Sequence, residues 1–405
     1  MFRFTIRAFR PCHDVLQTLA GFPRLKALKL DFHYTLADRQ TDIPAVPFER
    51  FTQLTELRLF GIPSEPYLTG VKTLVSRSHS LKALQVWTQT RTDCPMVDIG
   101  ELLPANPPSS SLRSLNITVG TKGFSLSSSS PKSLQNLTEL RIRGGEGIDL
   151  EEFWRAMKKH KIKLKVLEAT LTSGLVKYLT SVSGLEVLEI GWKDRYGEEE
   201  AEKLADDLFM SVAENHRDTL QRIGRANNTL PSLGPWGITE SRIRSLFKCQ
   251  ALRSLELLVY SPSSSEKRKY PVMPLVRPIM ADEILSYVDY VLQDKLFELI
   301  INEFPTIQKL NLVMTRQFES SFGCGFAAGI YFRGVQEEFL RTIEDAKFHL
   351  PSSVGLAVKG QAGPQLEVTA YGREFELVET QTAGIWRFQL VQLNGSARSG
   401  YFECF

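Results

Sequence analysis

"LTELRLFG" spans Leu54–Gly61 and "LTELRIRG" spans Leu137–Gly144, 83 positions apart (137 − 54 = 83). A duplicated domain or a periodic array would each put nearly the same octet into one chain twice, but only the array requires weaker copies in between. Such copies exist. The pattern L-x-x-L-x-L recurs as "LKALQV" (Leu81, Leu84, Val86) and "LRSLNI" (Leu112, Leu115, Ile117). It continues outward as "LKALKL" from Leu25, "LKVLEA" from Leu164, "LEVLEI" from Leu185, a degraded "LQRIGR" from Leu220, "LRSLEL" from Leu252 and "IQKLNL" from Ile307. The starts step by 29, 27, 31, 25, 27, 21, 35, 32 and 55 residues, a repeat length with insertions rather than a strict period. Met1, Phe4 and Ile6 fit the same pattern, 24 residues before Leu25.

In L-x-L the two apolar residues share one face of a strand because side chains alternate, and the Leu three positions earlier closes the turn into that strand. Apolar residues at helical spacing precede many copies: Leu68, Val71, Leu74 and Val75 before Leu81, and Phe153 and Met157 before Leu164. Leu204, Leu208 and Val212 do so before Leu220, and Ile243, Leu246 and Phe247 before Leu252. Each unit is expected to run helix, turn, strand, and to bury both apolar faces only by stacking on its neighbours.

These repeats resemble the leucine-rich repeat family, specifically the irregular, helix-containing repeats of fungal F-box-type leucine-rich proteins. The resemblance covers residues 1–315 and implies an α/β leucine-rich repeat solenoid, with parallel strands on the concave face and helices on the convex face. It departs from the family where the longer consensus places Asn or Cys, three residues after the last Leu, to bond turn backbone. Here His33, Ile62, Gln89, Gly120 and Gly145 stand instead, so irregular loops are expected after the strands. Members of the family carry an F-box, a small helical module that docks on the adaptor of a cullin-based ubiquitin ligase, upstream of the repeats. The chain opens inside a repeat without a capping element, so a fragment lacking its F-box is expected ahead of a free-standing repeat protein capped by a partner.

Of the 405 residues 42% are hydrophobic and 23% charged, enough for a large core and unlike a disordered composition. The net charge of 49 − 46 = +3 is too small to point to nucleic acid or an anionic membrane, and neither partner is expected. Cys12, Cys94, Cys249, Cys324 and Cys404 lie far apart with no CxxC pair, so no disulfide framework or zinc site is indicated. The start is interrupted by Arg3, Arg7 and Arg10 and is neither a signal peptide nor an anchor. A cytoplasmic or nuclear monomer is the expectation.

"SPSSSEKRKYPVMPLVRP" (Ser261–Pro278) reads as a Pro/Ser-rich insertion, followed by a helical pattern over 282–302. Beyond 315 the pattern changes. Residues 334–347 look helical, whereas "SVGLAV", "LEVTAYGREFEL" and "IWRFQLVQL" alternate as strands, giving a β-rich C-terminal α+β cap or small module over 316–405.

No chemistry-bearing motif stands out. There is no GxxxxGK[ST], HExxH or GxSxG, and "GCGFAAG" (Gly323–Gly329) lacks the spacing of a phosphate cradle. The six histidines are scattered singly, and "KKHKIKLK" (Lys158–Lys165) reads as a helix end with solvated cations. No catalytic residue, cofactor or metal is expected, and an enzyme site in 316–405 rests only on that region being different.

Recognition is expected on the outward strand face. Between the inward Leu pairs stand Lys29, Arg58, Gln85, Asn116, Arg141, Glu168, Glu189, Glu256 and Asn311, a column that begins with cations and ends with carboxylates. A partner of opposite polarity would find its register there. The next column runs Asp31, Phe60, Trp87, Thr118, Arg143, Thr170. Phe60 and Trp87 belong to adjacent repeats and should lie roughly 5 Å apart at the backbone. Together with Arg58 and Arg143 they have the composition of an interface hot spot, the alternative being that they cover the strand ends. The family resemblance makes this the substrate-binding portion of an F-box-type ubiquitin-ligase receptor. A stand-alone scaffold or sensor, unrelated to ubiquitin, is the alternative.

Overall fold

A computed structural model describes residues 2–8, 13–22, 24–32, 48–60, 65–87, 97–98, 111–119, 124–125, 134–144, 150–191, 198–226, 240–259, 307–314, 337, 340–341, 344, 347–349, 367–370, 373–382 and 385–392. The chain forms two compact units, Met1–Lys193 with Ala226–Thr229, and Asp194–Arg225 with Leu230–Phe405.

The first unit holds the strands β1 (Phe2–Ala8), β2 (Leu25–Phe32), β3 (Glu56–Phe60), β4 (Ala83–Trp87), β6 (Ser114–Val119), β8 (Glu139–Gly144), β9 (Val166–Thr170) and β10 (Val187–Gly191). They lie side by side in that order, every pair parallel. Each strand carries one copy of the motif, and the register matches motif to motif. Phe4, Leu28, Leu57, Leu84, Leu115, Leu140, Leu167 and Leu188 form one row of Cα partners. From Leu28 onward this row is no more than 1% exposed. A slip of one residue would turn every one of these side chains out of the core, so the leucine pattern itself fixes the pairing.

Two further ladders hold the repeats together. The residue after the first motif Leu offers one carbonyl to two successive N–H groups of the next repeat: Lys82 and Ala83 both donate to Thr55, and Arg113 and Ser114 both donate to Lys82. The same step recurs at Arg113, Thr138 and Lys165. A serine just ahead of the motif adds a side-chain rung, with Ser80 Oγ donating to the Leu54 carbonyl at 2.9 Å and Ser111 Oγ to the Leu81 carbonyl at 2.6 Å.

The two near-identical octets do the same work twice. Thr55 Oγ1 donates to the Lys26 carbonyl at 3.0 Å, and Thr138 Oγ1 to the Arg113 carbonyl at 3.1 Å, tying each octet to the repeat before it. Glu and Arg, two residues apart and so on one strand face, then pair in both: Arg58 Nε to Glu56 at 2.5 Å and Arg141 Nε to Glu139 at 2.7 Å.

Helices α1 (His13–Ala20), α2 (Glu65–Arg77), α3 (Glu151–Lys159) and α4 (Ser173–Leu179) precede strands of this unit. In α2 the expected Val71, Leu74 and Val75 are buried, as are Phe153 and Met157 in α3. Glu151 and Glu152 open α3 and Lys158 and Lys159 close it, matching the helix dipole at both ends. It stops at Lys161, whose φ of 51° takes the chain into the left-handed region. The lysine-rich "KKHKIKLK" is therefore a helix end. Helix α4 is one the leucine pattern did not announce. Thr172 caps it, accepting from Leu175 N at 3.2 Å, and Glu151 from the preceding helix accepts from Gly174 N at 2.9 Å. A short parallel pair, β5 (Val97–Asp98) with β7 (Phe124–Ser125), forms within the insertions expected as loops.

In the second unit β11 (Arg222–Arg225), β12 (Ser254–Val259), β13 (Lys309–Met314) and β15 (Glu367–Ala370) are neighbours in that order, and the pairs of β12 with β11 and β13, and of β13 with β15, are parallel. The degraded copy at Leu220 thus still makes its strand. Beyond β15 come β16 (Arg373–Thr382), β17 (Ile385–Gln392) and the edge strand β14 (Lys347–His349), all antiparallel. The antiparallel meander is present, with one difference. "LEVTA" was expected to begin a separate cap, yet β15 also continues the parallel series: Val368 and Ala370 fall in register with Leu310 and Leu312 and are fully buried. The V-x-A alternation supplies an inward face without the Leu anchor. Lys347, expected in a helix, opens β14.

Helices α5 (Glu198–Asn215) and α6 (Glu240–Leu246) are pinned by Arg242, 1% exposed, whose guanidinium reaches Asp206 at 2.7 Å and also pairs with Glu202. The insertion 261–278, the helical pattern 282–302, "SVGLAV", and the turn positions His33, Ile62, Gln89, Gly120 and Gly145 lie outside the described residues. Both units are mixed α/β with mostly parallel strands, one motif copy to a strand wherever the motif occurs, which is a leucine-rich-repeat-like arrangement.

Candidate functional site

In the first unit the expected outward column is one row of Cα partners: Lys29, Arg58, Gln85, Asn116, Arg141, Glu168 and Glu189, on strands β2 to β10. Asp31, Phe60, Trp87, Thr118 and Arg143 form the next. The two halves of this face differ sharply in what they offer to solvent.

On β8 to β10 the charges are matched to each other. Arg143 holds Glu168 through two hydrogen bonds, Nε at 2.6 Å and Nη2 at 2.5 Å, and Arg141 Nη1 reaches Glu168 at 3.2 Å and Glu189 at 2.9 Å. Glu168 is 0% and Glu189 2% exposed. Burial works against the charged form of Arg141, but Glu139, Glu189 and Glu168 outweigh it and hold its pKa above the ordinary value. The expectation of carboxylates displayed to a partner is corrected here: Glu168 and Glu189 are buried beneath arginines of the adjacent strands. Charge order along a column signals ligand polarity only where the neighbouring strands carry no counter-ion, and here they do. The missed signal was Arg143, one column over and one repeat back from Glu168.

On β2 to β6 the face is open. Trp87 is 45% exposed, and its ring meets Phe60 edge to face with centroids 5.5 Å apart. The Lys29 ammonium lies 4.6 Å from the Phe60 ring centroid. Arg58 is exposed and bonded only to Glu56 among the described residues. Gln85 and Asn116 continue the row, and Asn116 Oδ1 is buried with no hydrogen-bond partner. A buried acceptor without a donor costs free energy, and a group supplied from outside the chain would remove that cost.

In the second unit Glu256 faces Arg225 at 3.4 Å, and its neighbour in register, Asn311, accepts from Thr369 Oγ1 at 3.0 Å. Gly224 makes room for Glu256, since a Cβ there would lie 3.2 Å from the Glu256 Cβ. These residues are engaged with each other.

No protein-family model or curated protein matches this chain. Among solved structures, the chain is similar to the LRR ectodomain of the plant membrane receptor kinase GASSHO1/SCHENGEN3 from Arabidopsis thaliana, in complex with CASPARIAN STRIP INTEGRITY FACTOR 2. The identity is 14% and the TM-score 0.26, over 73% of this chain. This chain spans 40% of the length of that ectodomain. The repeat assignment therefore rests on strand register. Among the described residues no helix is long and apolar enough to cross a membrane, and no group of three His, Cys, Asp or Glu side chains is placed to hold a metal ion.

Proposed function

We propose that this chain is a protein-recognition module that uses the outward strand face of β2 to β6. The observation that carries the reading is the exposed Trp87 stacked against Phe60, flanked by Lys29 and Arg58, on a strand face held flat by a continuous register. Rigid aromatics with a cationic rim are the composition from which binding hot spots are built. On this reading residues 1–315 are the repeat array, 316–405 its C-terminal cap or module, and the chain performs no chemical step itself.

The finer reading, the substrate-binding portion of an F-box-type ubiquitin-ligase receptor in the cytoplasm or nucleus, is supported by the resemblance of the repeats alone. One experiment addresses both levels. The wild-type protein and a Phe60→Ala, Trp87→Ala variant are purified with their bound proteins from the cells that make them, and the two sets are compared. A partner retained by the wild type and lost by the variant is the expected result. A cullin-ligase adaptor in both sets supports the receptor reading, and partners without any adaptor support a scaffold instead. Identical sets from wild type and variant would sink the strand-face reading.

A further inference from the structure

The partner's chemistry follows from the charge of the open half, a step that rests on the recognition reading above. Over the motif segments of β2, β3, β4 and β6 (residues 25–31, 54–60, 81–87 and 112–118) the cations are Lys26, Lys29, Arg58, Lys82 and Arg113 and the anions Asp31 and Glu56, a net 5 − 2 = +3. Over those of β8, β9 and β10 (137–143, 164–170 and 185–191) Arg141, Arg143 and Lys165 face Glu139, Glu168, Glu186 and Glu189, a net 3 − 4 = −1.

The excess on the open half is also unmatched locally. Among the described residues Lys26 bonds only Gln53, Arg113 only the Asn136 carbonyl, Lys29 lies over a ring, and no carboxylate is paired with Lys82. Lys82 and Arg113 even stand on adjacent repeats, joined by a 2.8 Å backbone hydrogen bond between like-charged residues. Such neighbours repel, and an anionic ligand would reverse the sign of that interaction.

We infer that the open half binds an extended acidic segment of a partner protein that carries one aromatic or large aliphatic anchor. The anchor rests on Trp87 and Phe60, the carboxylates face Lys29, Lys82 and Arg113, and a backbone N–H of the segment satisfies Asn116 Oδ1. The geometry sets a spacing. Lys29 and Trp87 stand two strands apart, about 10 Å, and an extended chain advances about 3.3 Å per residue, so an acid lies about two to four positions from the anchor. The segment ends where Arg141 and Arg143 are already saturated.

The test selects random linear peptides from a display library on the immobilised full-length chain. The expected winners carry Asp or Glu within that distance of Trp, Phe or Leu, and their affinity for the wild type falls with added salt. Trp87→Ser should weaken them at least about tenfold and Lys29→Gln with Lys82→Gln several-fold, while Phe22→Ser, a change at another exposed aromatic, leaves them unaltered. Neutral or basic winners, or acidic ones indifferent to both salt and the lysine changes, overturn the proposal. If those still need Trp87, the strand-face reading survives. Binding indifferent to Trp87 overturns both, and failure to enrich any peptide overturns the proposal alone. The salt dependence of the unmutated protein decides the matter even if a variant fails to fold.

Discussion

Glu168 and Glu56 both bond an arginine on the strand face, and their surroundings make the two pairs unequal. The Glu168 side chain is 0% exposed and its arginines, Arg143 and Arg141, are 19% and 23%, so removing the carboxylate leaves two poorly hydrated guanidinium groups facing each other. Breaking a buried pair from one side typically costs about 3–5 kcal/mol. Arg58, by contrast, is 44% exposed, and solvent screens its bond to Glu56 to below about 1 kcal/mol. Glu168→Ala should therefore lower the urea midpoint far more than Glu56→Ala, and equal shifts would show that the cluster is solvated. Cys249 gives a second residue-level prediction. Burial, and after it the negative charge of Asp218, pushes its thiol from 9.0 up to about 11. A raised thiol pKa favours the folded state below the unfolded value, and that contribution disappears as pH climbs from 9.0 through about 11. Native Cys249 should resist alkylation at neutral pH and react only on unfolding, as peptide mass spectrometry would read; prompt labelling of native protein contradicts the burial.

At the scale of elements, the link between α3 and α4 shows how one repeat caps the next. Glu151 sits in the first turn of α3 and simultaneously accepts from the Gly174 N–H and, at 3.2 Å, from Ser173 Oγ at the start of α4. A Cβ at Gly174 would collide with that carboxylate, so Gly174→Ala should displace it and cost about 1 kcal/mol, the worth of a helix cap. Glu151→Ala removes the same interaction. In a double-mutant cycle the second change should then cost little, whereas fully additive costs would show that the two residues act separately. Elements of this kind were only partly legible in the sequence. The strands were, down to the degraded copy at Leu220, because L-x-x-L-x-L demands both a period and a face. Helix α4 was not, because it is seven residues long and its cap comes from Glu151, 23 positions away. Strand β15 was recognised as a strand but not as a parallel neighbour of β13, since "LEVTA" lacks the anchoring Leu. On the binding face the columns were legible from alternation alone. Their pairing was not: whether Arg143 serves a ligand or Glu168 depends on side-chain reach across strands, which no single repeat encodes.

At the scale of the whole molecule, the repeats predict how damage should spread. Within the first unit each strand bonds only its two neighbours, and the leucine row from β2 to β10 is buried without a break. Stability in such an array is approximately a sum of intrinsic and nearest-neighbour terms, so a defect weakens its own repeat and the interfaces on either side. Leu115 is 0% exposed at the middle of the row, in register with Leu84 and Leu140. Leu115→Ala removes about 2–5 kcal/mol of packing, counting the cavity it leaves. Hydrogen exchange should lose protection most on β6, next on β4 and β8, and least on β2 and β10, because local opening needs to break only the weakened interfaces. The exposed face shares those strands, so the same variant should weaken any partner held by Trp87 without touching a contact residue. Uniform loss of protection over the whole first unit would instead mean that the repeats open as one cooperative body. In that case the register, rather than the nearest-neighbour interfaces, sets the unit of stability.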